Sequence, residues 1–375
     1  MQTHHSKNMD SGHNHLRFQP GAPWLDTNRN HINAHGGGIL FHNGVYWWYG
    51  EHKTAGSDGN RAQVGVHVYS SEDFLSWKDE GIALPVSTDL ESDIVQNCII
   101  ERPKVVYNPS TRKFVMWFHL ERLGCGYTSA LSGVAVADHP AGPFRYIESF
   151  RPNQGVWPSN VPEDLKIPLT EAERLLLAGT NFSGAAIDDY PKELIYRRDF
   201  GGGQMARDMT LFVDDDGEAY HIYASEENGT LHISLLTDDW LKPVGKYVRV
   251  MPGRFHEAPA MMKHEGRYFL FTSGCTGWNP NAARLLWAPS IWGPWEELGN
   301  PCVGTPEQKA TTFQSQSTFV LPIAERPGAF IFMADRWNPA NPIDGRYVWL
   351  PIFYKDGQPE VAWRDSWGFG IFDTL

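Results

Sequence analysis

One pattern constrains this chain more than any other. A strand, a short polar turn and a second, aromatic-rich strand recur five times, at Gly38–Tyr49, Val105–Phe118, Leu211–Tyr223, Met261–Phe271 and Phe319–Phe332. Three of the turns carry Asn43-Gly44, Asp216-Gly217 and Glu265-Gly266, and glycine accepts the positive φ that a tight hairpin needs. A further strand with a looser edge follows each pair, at Val66–Trp77, Gly133–Phe144, Leu231–Trp240, Ala283–Trp295 and Tyr347–Phe353. Repeats of about 40–50 residues built from four strands indicate a β-propeller, here an all-β ring of five blades. Period-two alternation and Gly/Pro turns exclude a helical solenoid; a two-domain β-sandwich is the competing architecture.

The repeat spacing breaks once. Between the second and third units lies an insertion of about 151–203, placed as a lid or rim over one face of the ring. It holds a helical stretch, Thr170–Ala178, in which Thr170 stands as N-cap and Glu173 completes a capping box. Residues 1–30 read as a tail and lead-in, and 31–375 as the propeller.

Composition narrows the ligand class. Lys and Arg number 32 against 44 Asp and Glu, a net charge of −12. No basic cluster offsets it, so nucleic acid is disfavoured as a partner, whereas a neutral sugar meets no objection. The 15 Trp, 14 Tyr and 20 Phe suit a β-rich core, a sugar-stacking cleft, or both. Cys98, Cys125, Cys275 and Cys302 lack metal or redox spacing. Buried free thiols are expected of them, with a Cys275–Cys302 disulfide as the alternative. No apolar run reaches the ~18 residues of a membrane span. The His-rich start (His4, His5, His13, His15) has no signal-like apolar region, which points to a cytoplasmic protein or to an exported one whose signal was removed.

Polar residues stand just before each hairpin, where a propeller's first strands line its axis. They are Asn33 and His35, Glu101-Arg-Pro-Lys104, Arg207-Asp208, His256-Glu257-Ala-Pro259, and Gln314-Ser-Gln316. Buried polar groups without partners are costly, so such a ring suggests a site; a hydrogen-bonded plug tying blades together is the bland reading. Acids in a neutral, aromatic-walled pocket suit glycoside hydrolysis: one protonated carboxyl donates to the leaving oxygen while a second group handles water.

Ala34-His-Gly-Gly-Gly-Ile-Leu40, Glu101–Val105, Arg207–Gly217, His256–Pro259 and Gln314–Thr318, one per blade and in this order, resemble glycoside hydrolase family 43, over nearly the whole chain from about His31. The resemblance implies a five-bladed propeller and an inverting glycosidase. It puts the acid on Glu257 and a pKa-tuning carboxylate on Glu101. It also exposes a departure: Gly36 stands where the family carries a blade-one Asp base, and glycine accepts no proton. The same loss is similar to that in exo-β-1,3-galactanases and in arabinofuranosidase- or galactofuranosidase-type members. In the galactanase-like group an amide on the last blade handles the water. Gln316 and Gln314 are the candidates, two apart and so on one strand face, with Gln316 favoured. Asp208 is the other candidate base.

Glu51, His35, Tyr127, Thr276, Trp278 and Gln314 complete the list of expected sugar-binding residues. Asp214-Asp-Asp-Gly217 resembles a calcium loop but fits a hairpin turn better; no cofactor is expected, with room left for a structural calcium ion. The expected substrate is an oligo- or polysaccharide from which an exo-acting enzyme frees a galactose or arabinose unit. A non-catalytic sugar-binding propeller and a protein-docking scaffold are the readings from other classes.

Overall fold

The computed structural model of the protein describes residues 17–61, 63–180, 182, 190–277 and 279–373. The His-rich start and Trp278 lie outside them.

Five sheets form, one per repeat, antiparallel except for one two-residue parallel pairing at the edge of the last. Blade one holds β1 (His35–His42), β2 (Val45–Lys53), β3 (Gln63–Ser71) and β4 (Lys78–Pro85); blade two holds β5 (Ile99–Asn108), β6 (Lys113–Glu121), β7 (Leu131–Ala137) and β8 (Arg145–Phe150). The insertion follows, with α1 (Glu171–Ala178) and α2 (Ile195–Arg198). Blade three is β9 (Met209–Val213), β10 (Ala219–Ser225), β11 (Thr230–Leu236) and β12 (Pro243–Val250); blade four is β13 (Glu257–His264), β14 (Arg267–Ser273), β15 (Arg284–Ala288) and β16 (Glu296–Gly299). Blade five takes β17 (Cys302–Val303), then α3 (Pro306–Ala310), β18 (Gln316–Pro322), β19 (Phe330–Arg336), β20 (Arg346–Lys355) and β21 (Gln358–Ala362). The first strands pack in a closed cycle: β1 on β5, β5 on β9, β9 on β13, β13 on β18, and β18 on β1.

Local chemistry explains the hairpins. Asn43 and Gly44 have φ of 52° and 82°, and Glu265 and Gly266 have 50° and 73°. Two left-handed residues in succession match the twist of the strands they join. The acidic run is a turn as well: Asp214 binds Lys263 Nζ (2.5 Å) and the Tyr268 hydroxyl (2.5 Å), so an ammonium group already serves its charge.

The aromatic surplus goes mainly into the wedges between blades. Trp48, Trp77, Trp349 and Trp367 are almost wholly buried together with Phe18 between blades five and one. Trp117 fills the wedge between blades two and three. The thiol expectation holds only in part. All four cysteines are free, but Cys125 and Cys275 are exposed. Cys275 and Cys302 form no disulfide, one lying in a surface loop and the other in the core.

Thr170 caps α1 as the sequence indicates, with Glu173 returning the bond. The described residues of the insertion do not reach over the central pocket. They lie along blade three: Ser159 N–H donates to the Tyr247 carbonyl, and the Asn160 side chain bonds the Arg249 carbonyl. Among the described residues no helix is long and apolar enough to cross a membrane.

Candidate active site

A bulge repeated from blade to blade builds the site. β1, β5 and β13 each gain one residue against their partner strand, between His35 and Gly38, between Glu101 and Lys104, and between Glu257 and Ala260. β18 does so between Ser317 and Phe319. In the first three, the extra residue is left-handed: Gly36 at φ 61°, Arg102 at 55° and Ala258 at 51°. Pro103 and Pro259 follow two of these, positions where a missing N–H is tolerated. The residue ahead of each bulge (His35, Glu101, Glu257) and Gln316 at the start of β18 therefore stand at equivalent places around one axis.

Each left-handed residue turns its N–H toward a carboxylate of the preceding blade. Gly36 donates to Asp335 Oδ2 (2.6 Å), Arg102 to Glu51 Oε1 (3.0 Å) and Ala258 to Asp208 Oδ2 (3.1 Å). Three acids thus act first as backbone anchors, and their positions fix the pocket floor.

The pocket holds about 520 Å³, within the usual range for small-ligand sites. Glu51, Glu101, Tyr127, Asp208, Glu257 and Gln316, all expected from the sequence, line it. Arg102 and Arg207, from the polar runs ahead of the second and third hairpins, line it as well, with Trp337; Asp58, Asn60, Arg61, His119 and Asn228 line it too, and no sequence motif singles them out.

Arg102 is the hub. One terminal nitrogen reaches Asp208 Oδ2 (3.0 Å) and Gln316 Oε1 (2.5 Å), and the other reaches the Ser317 carbonyl (3.1 Å). Arginine has no acceptor, so the atom of Gln316 that faces it is the amide oxygen. The Gln316 nitrogen then donates to Ser273 Oγ (2.8 Å). The amide is held in one orientation from both ends.

Two carboxyl groups are pushed apart in acidity. Burial, aided by the charge of Asp208, raises Glu257 to about 8. Burial opposes ionisation of Glu101 too, but hydrogen bonding and charge from His119 overcome it and hold Glu101 down at about 2. Burial likewise works against the His119 cation, yet Glu101 and Glu121, each 2.9 Å from a ring nitrogen, lift it to about 9. Glu101 also accepts from Tyr127 (2.8 Å) and Asn60. The neighbour whose charge bears most on Glu257 is therefore Asp208, while Glu101 has its own cation. Glu101, His119 and Asp208 offer atoms within 4.8 Å of one another, and each is already engaged with a protein partner.

The vacancy at Gly36 has a geometric reason. A Cβ there would meet Glu51 Oε1 at 2.3 Å, at a φ that side chains rarely adopt. Glu51 is fully buried and paired with Lys53 at 2.7 Å. Its carboxyl occupies the space an aspartate at position 36 would need. Gly36→Asp is therefore expected to lower stability by roughly 1–3 kcal/mol, the cost of overpacking, with no gain in kcat. A thermal melt and a turnover assay check this; a faster variant would show that the two side chains can coexist.

Three expected sugar contacts fall elsewhere. His35 is wholly buried, stacked on the far side of Trp337 (ring centroids 4.9 Å apart), and burial keeps it neutral with a pKa near 3. Gln314 is exposed and precedes the strand: Thr312, Phe313 and Gln314 are all left-handed, so the two-residue spacing to Gln316 does not put them on one face. Thr276 turns its hydroxyl into its own loop, to the Asn279 carbonyl (2.5 Å), with Asn281 donating to it (2.7 Å). Trp278 is outside the described residues.

Comparison with known proteins identifies the family to which this fold belongs. Residues 191–326 match the family described as glycosyl hydrolases family 43. A solved β-1,3-galactosidase of that family, in complex with galactodeoxynojirimycin, is 50% identical over 94% of this chain and 100% of its own, with a TM-score of 0.88. An exo-β-1,3-galactanase from Clostridium thermocellum is 35% identical over 93% of this chain and 66% of its own, with a TM-score of 0.74. A β-D-galactofuranosidase from Aspergillus niger is 29% identical over 110 residues, 28% of this chain and 32% of that protein. With half of its residues shared with a solved relative along nearly its entire length, the protein belongs to glycoside hydrolase family 43 and is a glycoside hydrolase.

Proposed function

We propose that the enzyme is an exo-acting, inverting galactosidase that removes β-1,3-linked galactose from the non-reducing end of a galactan. The observation that carries the sugar assignment is the 50% identity to the β-1,3-galactosidase solved with galactodeoxynojirimycin.

In this reading Glu257 is the general acid. Its carboxyl keeps a proton up to about pH 8 and gives it to the departing glycosidic oxygen. Asp208, pinned by Arg102 and by the Ala258 N–H, supplies the negative charge that retains the proton. Glu101 stays ionised and accepts from sugar hydroxyls, while Tyr127 and Asn60 hold it in place. Gln316 presents its oxygen beside Arg102 and orients the attacking water. An amide this close to a guanidinium is a weak base, so orientation is its main contribution, and Asp208, on the same guanidinium, is the alternative acceptor of the water's proton.

The test is hydrolysis of β-1,3-galactobiose followed by NMR from the first turnover. The reading expects α-galactose as the initial product; retained β-galactose would overturn inversion. No release from the galactobiose, with turnover of an arabinofuranoside or galactofuranoside, would overturn the sugar assignment. The acid's protonation also sets a pH dependence: kcat/KM should fall about tenfold per unit above about pH 8. Asp208→Asn removes one cause of the raised value, so its alkaline limb should move to lower pH. A limb that stays in place would separate Asp208 from the acid.

A further inference from the structure

Between β10 and β11 the chain makes an unusual turn. Glu226, Glu227 and Asn228 are all left-handed, with φ of 52°, 59° and 65°. None is glycine, and such runs persist only where the surroundings over-determine them. Here they do. Glu226 is wholly buried and bound by Arg249 through two nitrogens (2.6 and 2.8 Å), by His232 (2.8 Å) and by Thr230 (2.9 Å). The insertion clamps the same turn from behind: the Tyr190 hydroxyl donates to the Glu226 carbonyl, and Arg249 donates to the Lys192 carbonyl. Glu227 joins two parts of the molecule. It accepts from Arg198, the last residue of α2 (2.9 Å), and from Arg207 of the pocket wall (3.2 Å).

The turn ends on the acid, because Asn228 Nδ2 donates to Glu257 Oε1 (2.7 Å). A donor at Oε1 makes that oxygen the acceptor of the carboxylic acid, so the transferable proton sits on Oε2. We infer that Glu227 is a positioning residue: by tying the insertion to this turn it holds Asn228 in place and so selects the oxygen from which Glu257 releases its proton. The inference rests on Glu257 being the acid. It also gives the insertion a task, support of proton delivery from outside the pocket.

The experiment compares two substrates of one sugar. A β-1,3-galactobiose needs its leaving oxygen protonated, whereas 2,4-dinitrophenyl β-galactoside leaves as a stable anion and hardly does. For Glu227→Gln, kcat/KM on the galactobiose should fall about tenfold, and on the dinitrophenyl glycoside less than twofold. Arg198→Met cuts the same tie from the insertion side and should show the same selectivity, so the test survives if one variant folds poorly. Equal losses on both substrates would mean mere loosening of the fold and would overturn the inference, as would no loss on either. Glu257→Gln serves as the reference: if it too loses both substrates equally, the acid assignment itself has failed, whatever Glu227 does.

Discussion

Glu257→Gln should lower turnover of β-1,3-galactobiose by about 10²–10⁴-fold, the usual cost of losing a general acid, while the protein itself becomes more stable. The first half follows from the proton that the glutamine lacks. The second follows from linkage. The Glu257 carboxyl has its pKa raised to about 8 in the folded chain from an ordinary value of 4.5. Ionisation is therefore harder in the folded state, and stability is lost as pH rises from about 4.5 through about 8. An amide of the same shape avoids that loss. Near pH 4 parent and variant should melt together. Above pH 8 the variant should be the more stable by about 1–3 kcal/mol, a figure discounted for the side chain's partial contact with solvent. Melting curves across this range check it, and a variant less stable than the parent at pH 9 would contradict the picture of a carboxyl held neutral.

The second large effect is expected at Arg102. Arg102→Met leaves Asp208 and Gln316 without their shared donor and frees the Ser317 carbonyl. Removing one member of a buried charged pair costs roughly 3–5 kcal/mol. Displacing reacting groups by even an ångström can cost about 100-fold in rate. Arg102→Lys keeps a charge but not the planar fork, so it should recover part of the stability and little of the rate. Calorimetry and steady-state kinetics on both variants test this. A methionine variant with parental Tm and kcat/KM would show that the hub holds nothing together.

The ring itself was readable in the sequence, because a hairpin is local. Asn43-Gly44 and Glu265-Gly266 dictate turns whose strands pair residues close in sequence, from His42 with Val45 out to His35 with Glu51. The place of Glu101 and Glu257 on the pocket was readable for a related reason, since Glu101-x-Pro and Glu257-x-Pro mark two bulges at equivalent places. What the sequence hid is what a bulge does to alternation. In a regular strand Glu101 and Arg102 would face opposite ways; with Arg102 left-handed at φ 55°, both serve the axis. Gln314 lies off the pocket for the converse reason: residues two apart share a face only along a strand, and the strand begins at Gln316. Nor could spacing reveal that Glu51, fifteen positions from Gly36, fills the space of a side chain that Gly36 lacks. That contact exists only once β2 lies beside β1. Asn228 carried one faint signal: Glu-Glu-Asn-Gly reads as a tight turn, but nothing in it says that the turn points at Glu257.

Phe18 and Trp367 exchange backbone hydrogen bonds in both directions, and their rings stack 4.1 Å apart. Residues nearly 350 positions distant thus meet as neighbours. The covalent order of the blades is then incidental to the chemistry: the pocket is built at the entry ends of the inner strands, while turns such as Asn43-Gly44 lie at their opposite ends. The circle could be cut at such a turn and sealed near Phe18 and Trp367 with every group around the glycosidic oxygen left where it stands.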